Sequence, residues 1–321
     1  MIEARHDSVL MQEVLQALEV QPGDTVVDAT IGGAGHFAVL CSALGEGGVI
    51  VGIDADLAAV ERGREAYALD RRPDRPVAHL VNDNFRNLTR ILERLRIGQV
   101  NKILFDLGWS GYQISAPRGF SFQNNEPLLM TYGEGSLSGQ GETAADIVNS
   151  SSEEDLADLI FTYGEEHFAR GIARAIVAAR SEERILTTEA LVSAILAGTP
   201  HWYHKRKTHP ATKTFQALRI AVNNELESLR EGLSAALGAL APHGRLAVIS
   251  FHSIEDRIVK NVLQDAARAG LGSLSPKKPI VPTRAEVLMN RRARSAKLRV
   301  FERASIPVNI ACSASGALSY A

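Results

Sequence analysis

The chain has 321 residues, 45% of them hydrophobic and 22% charged, which allows a core of ordinary size and argues against global disorder. A formal net charge of −2 confines any nucleic-acid surface to a local patch. Two cysteines far apart, Cys41 and Cys312, exclude a disulfide framework and fit a reducing cytoplasm.

The opening segment "MIEARHDSVL" is charged and lacks the apolar stretch of a signal peptide. No apolar run is long enough to cross a bilayer, so a cytoplasmic protein with no membrane partner is expected. Short apolar runs then recur and stop at polar residues. They are "TVVDAT" (25–30), "GVIVGIDAD" (48–56), "AHLVNDNF" (78–85), "KILFDLG" (102–108) and "GRLAVISFHS" (244–253). Amphipathic stretches such as 57–69 separate the first four. Strand alternating with helix predicts an α/β fold with a parallel sheet and right-handed crossovers. In such sheets ligands bind beyond the carboxyl ends of the strands. Asp28, Asp54, Asp83, Asn84, Phe85 and Asp106 all fall there. One such acid would be read as a helix cap, but a row of them on one rim points to a shared ligand.

The alternation breaks after "DLGWS". A glycine- and serine-rich loop, "GEGSLSGQGE" (133–142), is followed by helical patterns near 143–150, 152–163, 165–180 and 188–197. Ser151 and Glu154 have capping-box spacing. "HPATKTFQALRIAVNNELESL" then starts a long helix with Pro210 in its first turn, and the fifth strand follows at about 244. The reading is a helical domain inserted between strand four and its crossover helix. Residues 1–111 and 213–321 are the two parts of the sheet domain, and 112–212 form the insertion.

The first loop, Gly32-Gly33-Ala34-Gly35, departs from the G-x-G-x-x-G spacing that lets amides approach a pyrophosphate, and Asp28 precedes it. A carboxylate repels a pyrophosphate but suits a ligand carrying a sulfonium and an ammonium group. This favours S-adenosyl-L-methionine over a dinucleotide. Asp54 is placed to take ribose hydroxyls, and Phe85 either flanks an adenine ring or belongs to the core.

The acceptor side begins at "DLGWSGYQI" (106–114). An exocyclic base amine becomes nucleophilic when acceptors hold its protons, a role open to Asp106. Trp109 either stacks on an extruded base or plugs the sheet edge, and Glu255 and Asp256 either meet the acceptor or cap a helix. The spacing of His201, His204 and His209 is too loose for zinc, so no metal is expected. Two basic runs, "HKRKTHPATK" (204–213) and "NRRARSAKLRVFER" (290–303), favour a nucleic-acid contact in a chain that is otherwise close to neutral.

These residues resemble the RsmH (MraW) family of bacterial small-subunit rRNA cytosine-N4 methyltransferases. The similarity starts at His6 and Val9-Leu10 and runs through "DATIGGAGH", "DLGWSGYQI", "RGFSF", "YGEE" (163–166) and "IARAIV" (172–177). It continues through "HPATKTFQALRIAVNNEL", "GRLAVISFHSIEDRIVK" and "RSAKLRVFER". The resemblance implies a Rossmann-like S-adenosylmethionine-dependent methyltransferase with an inserted helical domain. It implies methylation at N4 of a decoding-centre cytidine in 16S rRNA of the small ribosomal subunit, with a homodimer as a candidate assembly. Cofactor contacts are implied from Ala34, Gly35, His36, Asp54, Phe85, Asp106 and Gln113, with Asp106 and Trp109 on the catalytic side. Ala34 stands where the family usually has glycine, Gly111 and Ser115 lack a hydroxyl and a carboxylate of the usual pattern, and Leu129 and Thr131 replace an acid and a base. Two rival classes are an NAD-dependent oxidoreductase, disfavoured by Asp28 and the loop spacing, and a non-catalytic RNA-binding assembly factor, disfavoured by Asp54, Asp106 and Gln113.

Overall fold

The computed structural model describes residues 8–108, 117–132 and 141–305. Trp109, Gly111, Gln113 and Ser115, singled out by the sequence, lie outside the described residues, as does most of the glycine- and serine-rich loop.

A seven-stranded sheet carries the fold. Its strands are β1 (Thr25–Asp28), β2 (Val49–Asp54), β3 (Val77–Asn82), β4 (Val100–Asp106), β5 (Leu240–Ser250), β6 (Gly272–Leu274) and β7 (Lys297–Arg303). They lie in the order β3-β2-β1-β4-β5-β7-β6. The first five are parallel, while β7 runs antiparallel to both β5 and β6. Val26, Val27, Ile50, Val51, Ile103, Leu104 and Phe105 are fully buried, because strands covered on both faces must be apolar throughout. The reversed β7 between β5 and β6 separates this topology from the dinucleotide-binding order 3-2-1-4-5-6.

Helices close both faces. On one side, α1 (Met11–Leu18), α2 (Gly35–Leu44) and α3 (Leu57–Leu69) supply Val14, Leu18, Phe37, Leu40 and Val60 to one core. On the other, α4 (Leu88–Leu95) supplies Leu88, Ile91 and Leu92 to a second core. A third core, with Leu156, Ile160, Ile172, Ile176, Leu191 and Ile195, belongs to α5 (Ala144–Ser150), α6 (Glu153–Gly164), α7 (Ala169–Glu182) and α8 (Thr188–Ala197). A short turn, α9 (His201–His204), leads to α10 (Ala211–Asn223), which contributes Phe215 and Leu218 to this core and Ile220 to the second. The second core is completed by α11 (Glu225–Ala239) and α12 (Ser253–Arg268), and the small α13 (Arg284–Met289) follows.

Local departures from the sequence reading have physical causes. The N-cap of α6 is Ser152, whose hydroxyl accepts from the Asp155 N–H at 3.0 Å, so the cap lies one residue beyond the expected Ser151. The long helix expected from Pro210 is two helices, because Asn224 turns left-handed (φ 46°) and ends α10. β5 starts at Leu240 rather than near 244, pairing first with Val100 before a register irregularity. The run at 290–303 is not a uniform basic surface. Its second half is β7, and Lys297 and Arg299 each meet the Asp256 carboxylate at 2.7 Å. Asp256 is therefore more than a simple cap; it anchors β7 to α12.

Asp256→Ala leaves the Arg299 guanidinium buried without its carboxylate. The expected cost is about 3–5 kcal/mol of stability, read from urea unfolding, and a midpoint equal to the parent's would show that the contact is dispensable.

Candidate functional site

The carboxyl ends of β1, β2 and β4 open into a cavity of about 390 Å³, within the size range of small-molecule sites. Gly32, Gly33, Gly35, His36, Asp54, Phe85 and Asp106 line it. Five of the predicted residues, Gly35, His36, Asp54, Phe85 and Asp106, thus meet in one place. Ala34 does not line the cavity. It sits at φ 63° as the residue before α2, and its methyl is buried with Val9, Leu10 and Phe37. A left-handed alanine costs about 1–2 kcal/mol, and here that cost is set against a buried methyl.

The β1 turn is held from the next strand. Gly32 (φ 53°) donates its N–H to Asp54 Oδ2 at 2.9 Å, and the Asp56 N–H reaches Oδ1 at 2.9 Å. Each carboxylate oxygen keeps a second lone pair for a ligand hydroxyl. Burial pushes Asp54 up to about 6, against these two N–H donors, which act to lower it. Phe85 stands edge-on to Phe105, with centroids 5.2 Å apart, and a Cβ on Gly232 would come within 2.6 Å of its ring. That contact requires glycine at 232 and leaves Phe85 on the cavity wall.

Asp106 ends β4. Its backbone N–H donates to Thr30 Oγ1 at 2.7 Å, its Oδ2 faces His36 Nδ1 at 3.3 Å, and its buried Oδ1 has no hydrogen-bond partner among the described residues. His36 Nε2 lies 3.1 Å from the Val9 carbonyl, which can only accept, so Nε2 carries a proton and Nδ1 faces the carboxylate. Burial opposes a charge on His36, yet the Asp106 carboxylate and then Asp28 leave its pKa raised. Asp28 itself is fully buried and does not line the cavity. Burial raises it to about 7, opposed by His36 and the Thr30 N–H. It acts on the site through its field rather than by contact.

The opposite wall was not read from the sequence. Arg219 of α10 and Glu225 of α11 pair at 2.7 Å, and the Tyr132 hydroxyl donates to Glu225 at 2.9 Å; all three line the cavity. Arg219 is only 4% exposed. One signal was available: a lone cation inside the apolar stretch "FQALRIAV" is better explained by a buried partner than by solvent. Glu255 also lines the cavity, but its Oε2 caps α12 by accepting from the Phe251 N–H at 2.8 Å. Burial raises its pKa, while His252, Arg219 and that N–H outweigh burial and hold it low. At the mouth stand Arg291, Arg292 and Arg294, the part of the second basic run that the sheet does not use. Among the described residues no group of three or more His, Cys, Asp or Glu is placed to hold a metal, and no helix is long and apolar enough to cross a membrane.

The raised pKa of Asp28 has a signed consequence. Between 3.8 and about 7 the folded protein keeps a proton that the unfolded chain has released. This group's contribution to stability is therefore full below 3.8 and is lost as pH rises through about 7. Asp28→Asn is expected to flatten the fall of Tm across that interval; an unchanged Tm–pH curve would place the titration elsewhere.

The MraW methylase family matches residues 3–304. The ribosomal RNA small subunit methyltransferase H of Deinococcus radiodurans is 48% identical over 305 residues, covering 94% of this chain and 91% of that protein. Its counterpart from Deinococcus deserti is 46% identical over 303 residues, covering 93% of each. Among solved structures, an rRNA methylase from Streptococcus thermophilus is 12% identical with a TM-score of 0.41, covering 95% of this chain and 99% of that one. With a family match spanning nearly the whole length and relatives this close, the chain belongs to the MraW methylase family.

Proposed function

We propose that this chain methylates ribosomal RNA with S-adenosyl-L-methionine as donor, and that the acceptor is the N4 amine of a cytidine in 16S rRNA of the small ribosomal subunit. The methyltransferase assignment rests on the family. The observation that favours an amine acceptor is the buried, unpartnered Oδ1 of Asp106 at the end of β4.

The residues present fit the donor. The cavity interior is acidic where a dinucleotide would need donors, with Asp54 and Asp106 on its wall and Asp28 behind it. Asp54 would take the ribose hydroxyls on its remaining lone pairs, Phe85 would flank the adenine, and the Gly32-Gly33 backbone allows close approach. When bound, S-adenosylmethionine supplies a methyl group on a good leaving group.

The chain's own residues prepare the amine. Asp106 Oδ1 accepts one amine N–H, which draws the nitrogen lone pair out of conjugation with the ring and aims it at the methyl group. Thr30, through the Asp106 backbone, and His36, through Oδ2, fix that carboxylate in place, so much of the rate enhancement comes from orientation. Transfer would form the N–C bond as the donor's carbon–sulfur bond breaks with its electron pair left on sulfur, and the amine, now positively charged, would have a proton to release. The Asp106 carboxylate would receive it, while His36 beside Oδ2 holds that carboxylate in place. The helical unit supplies the facing wall through Thr212, Gln216 and Arg219 of α10, and we place the acceptor between the two. A homodimer is not required by this reading, because both walls come from one chain.

Asp54→Asn keeps the shape of the side chain but removes one acceptor and the charge. Hydrogen bonds to charged groups are worth about 1.5–3 kcal/mol, so affinity for S-adenosylhomocysteine should fall at least about tenfold by calorimetry. Undiminished affinity would remove Asp54 from the site.

For Asp106→Asn, methyl transfer is expected to be lost even at saturating donor. The substrate is small subunits from a strain lacking the modification, and the readout is nucleoside mass spectrometry. Label appearing at a ring carbon, on a ribose or on protein would sink the N4 reading, and full transfer by the variant would release Asp106 from its role.

A further inference from the structure

An exposed aromatic ring on the helical unit lies outside the cavity. Trp202, in α9, is 58% exposed. It is not a loose side chain on a loose turn. Tyr203 beside it is buried and donates its hydroxyl to Glu166 Oε2 at 2.6 Å, while Glu166 is fully buried and also accepts the Phe168 N–H at 2.9 Å. His204 is held to Thr199 Oγ1 at 2.9 Å. The Trp202 ring meets Phe168 and Tyr203 edge-to-face, with centroids 5.7 and 5.9 Å away. The turn is anchored from below and presents its indole to solvent in a fixed position.

One cation lies over that ring and two more follow in sequence. The Arg206 guanidinium lies 5.5 Å from the Trp202 centroid and 5.2 Å from that of Tyr203. Lys205, Arg206 and Lys207 are all exposed, and no carboxylate among the described residues forms an ion pair with them. The contrast within the same unit is informative. Phe161 is equally open at 60%, but it stands on α6, which carries Glu153, Glu154, Asp155 and Asp158, and among the described residues no cation lies over its ring. Exposed aromatic area alone would fit many partners. Exposed aromatic area with Arg206 over its ring, on a turn that also exposes Lys205 and Lys207, fits a polyanion that also offers flat rings.

The turn leads in sequence to one wall of the candidate site. From this turn the chain enters α10, whose Thr212 and Gln216 line the cavity. Ten residues separate Trp202 from Thr212, so the two lie no more than roughly 35 Å apart along the chain. Between them His209 stacks on Phe122, with centroids 4.7 Å apart, which fixes the junction.

We propose that Trp202, with Lys205, Arg206 and Lys207, forms a second RNA-contact site outside the methyl-transfer cavity, in which an unpaired base stacks on the indole while the cations meet the flanking phosphates. The inference rests on an RNA acceptor, as proposed above. It adds a place where single-stranded RNA is gripped away from the reacting base. Stacking requires an unpaired base, so the site discriminates single strands from duplex. A protein partner or an anionic membrane would also meet this surface but would show no such discrimination.

The test uses the full chain and a fluorescent single-stranded oligoribonucleotide of roughly 12 nucleotides, with the same sequence as a duplex for comparison. Trp202→Ala should weaken single-strand affinity by roughly 10- to 100-fold, and Trp202→Phe should restore most of it. Phe161→Ala should leave it unchanged. Replacing Lys205 and Lys207 by alanine should flatten the dependence of log Kd on log salt by about 0.7 per residue. S-adenosylhomocysteine affinity and thermal unfolding of Trp202→Ala should match the parent's, separating a lost contact from a lost fold. Three results would overturn the proposal. Trp202→Ala could bind the oligonucleotide as the parent does, single strand and duplex could be bound equally well, or phosphatidylserine vesicles could be captured through Trp202 while the oligonucleotide is not. The titration is independent of catalysis. If the parent chain transfers no methyl group to unmodified small subunits, the proposed function fails while this titration still decides the surface. If transfer is intact but Trp202→Ala binds normally, only the surface fails.

Discussion

The Asp54 carboxylate joins the ends of two neighbouring strands. One oxygen holds the N–H of Gly32 in the β1 turn, and the other holds that of Asp56 at the start of the α3 crossover. A parallel sheet gives no hairpins to connect such ends, so adjacent βα turns need some other tie if they are to form one rim. Here the tie is an acid, and the same group faces the cavity. The left-handed turn at Gly32 and the position of α2 both follow from it, and α2 carries His36 to Asp106. Burial raises the Asp54 pKa to about 6, and a ligand that brings donors or positive charge would favour its charged form.

The second wall depends on another buried polar group. Arg219 and Glu225 lie on consecutive helices separated by the left-handed Asn224, and Tyr132 reaches Glu225 from the segment that precedes the helical unit. The backbone of that segment is held as well, since the Asn223 amide accepts from the Tyr132 N–H at 3.0 Å and donates to the Met130 carbonyl at 2.7 Å. Arg118 adds an ion pair to Asp56 at 2.8 Å, which connects the segment to the start of α3. Buried ion pairs contribute little net stability compared with apolar packing. Their value here is geometric: they join the helical core to the sheet and leave polar atoms on the cavity surface. The uncharged Leu129 and Thr131 lie in this segment without breaking it, because the segment is fixed by backbone groups and by Arg118 rather than by side chains at those two positions.

The sheet's first five strands were legible because strands buried on both faces are written as uninterrupted apolar runs, and their end residues follow from where the runs stop. β7 was not legible. Arg299 sits in the middle of it and reads as surface charge, and only the fold reveals the Asp256 carboxylate that buries it. The three-residue β6 has too little pattern to register. Within the site, Asp54, Phe85 and Asp106 could be found because a rule links strand ends to ligands. Tyr132 and Glu225 could not, since they are 93 residues apart and neither ends a strand. Asp28 shows the limit of that rule. It stands at a strand end in the row of rim acids, yet the fold places it behind the wall. A residue's position along a strand gives the rim, and the pleat decides which side of the wall it occupies.

Charge is sorted by depth. The cavity is acidic within, with Asp54 and Asp106 on its wall and Asp28 behind it, while the mouth carries Arg291, Arg292 and Arg294. A formal charge of −2 over the chain hides this separation completely. The two zones also respond differently to their surroundings. Ions screen exposed charges over roughly 8–10 Å, so the arginines act on what approaches from solvent and weaken as salt rises. The buried acids lie in a low-dielectric interior and keep their field. Under the proposed reading, this arrangement admits a polyanion to the rim while its phosphates are repelled from the interior, where a small cation is favoured. A base attached to such a strand can enter only if it leaves its phosphates at the mouth, which is the geometry of a nucleotide turned out of its stack.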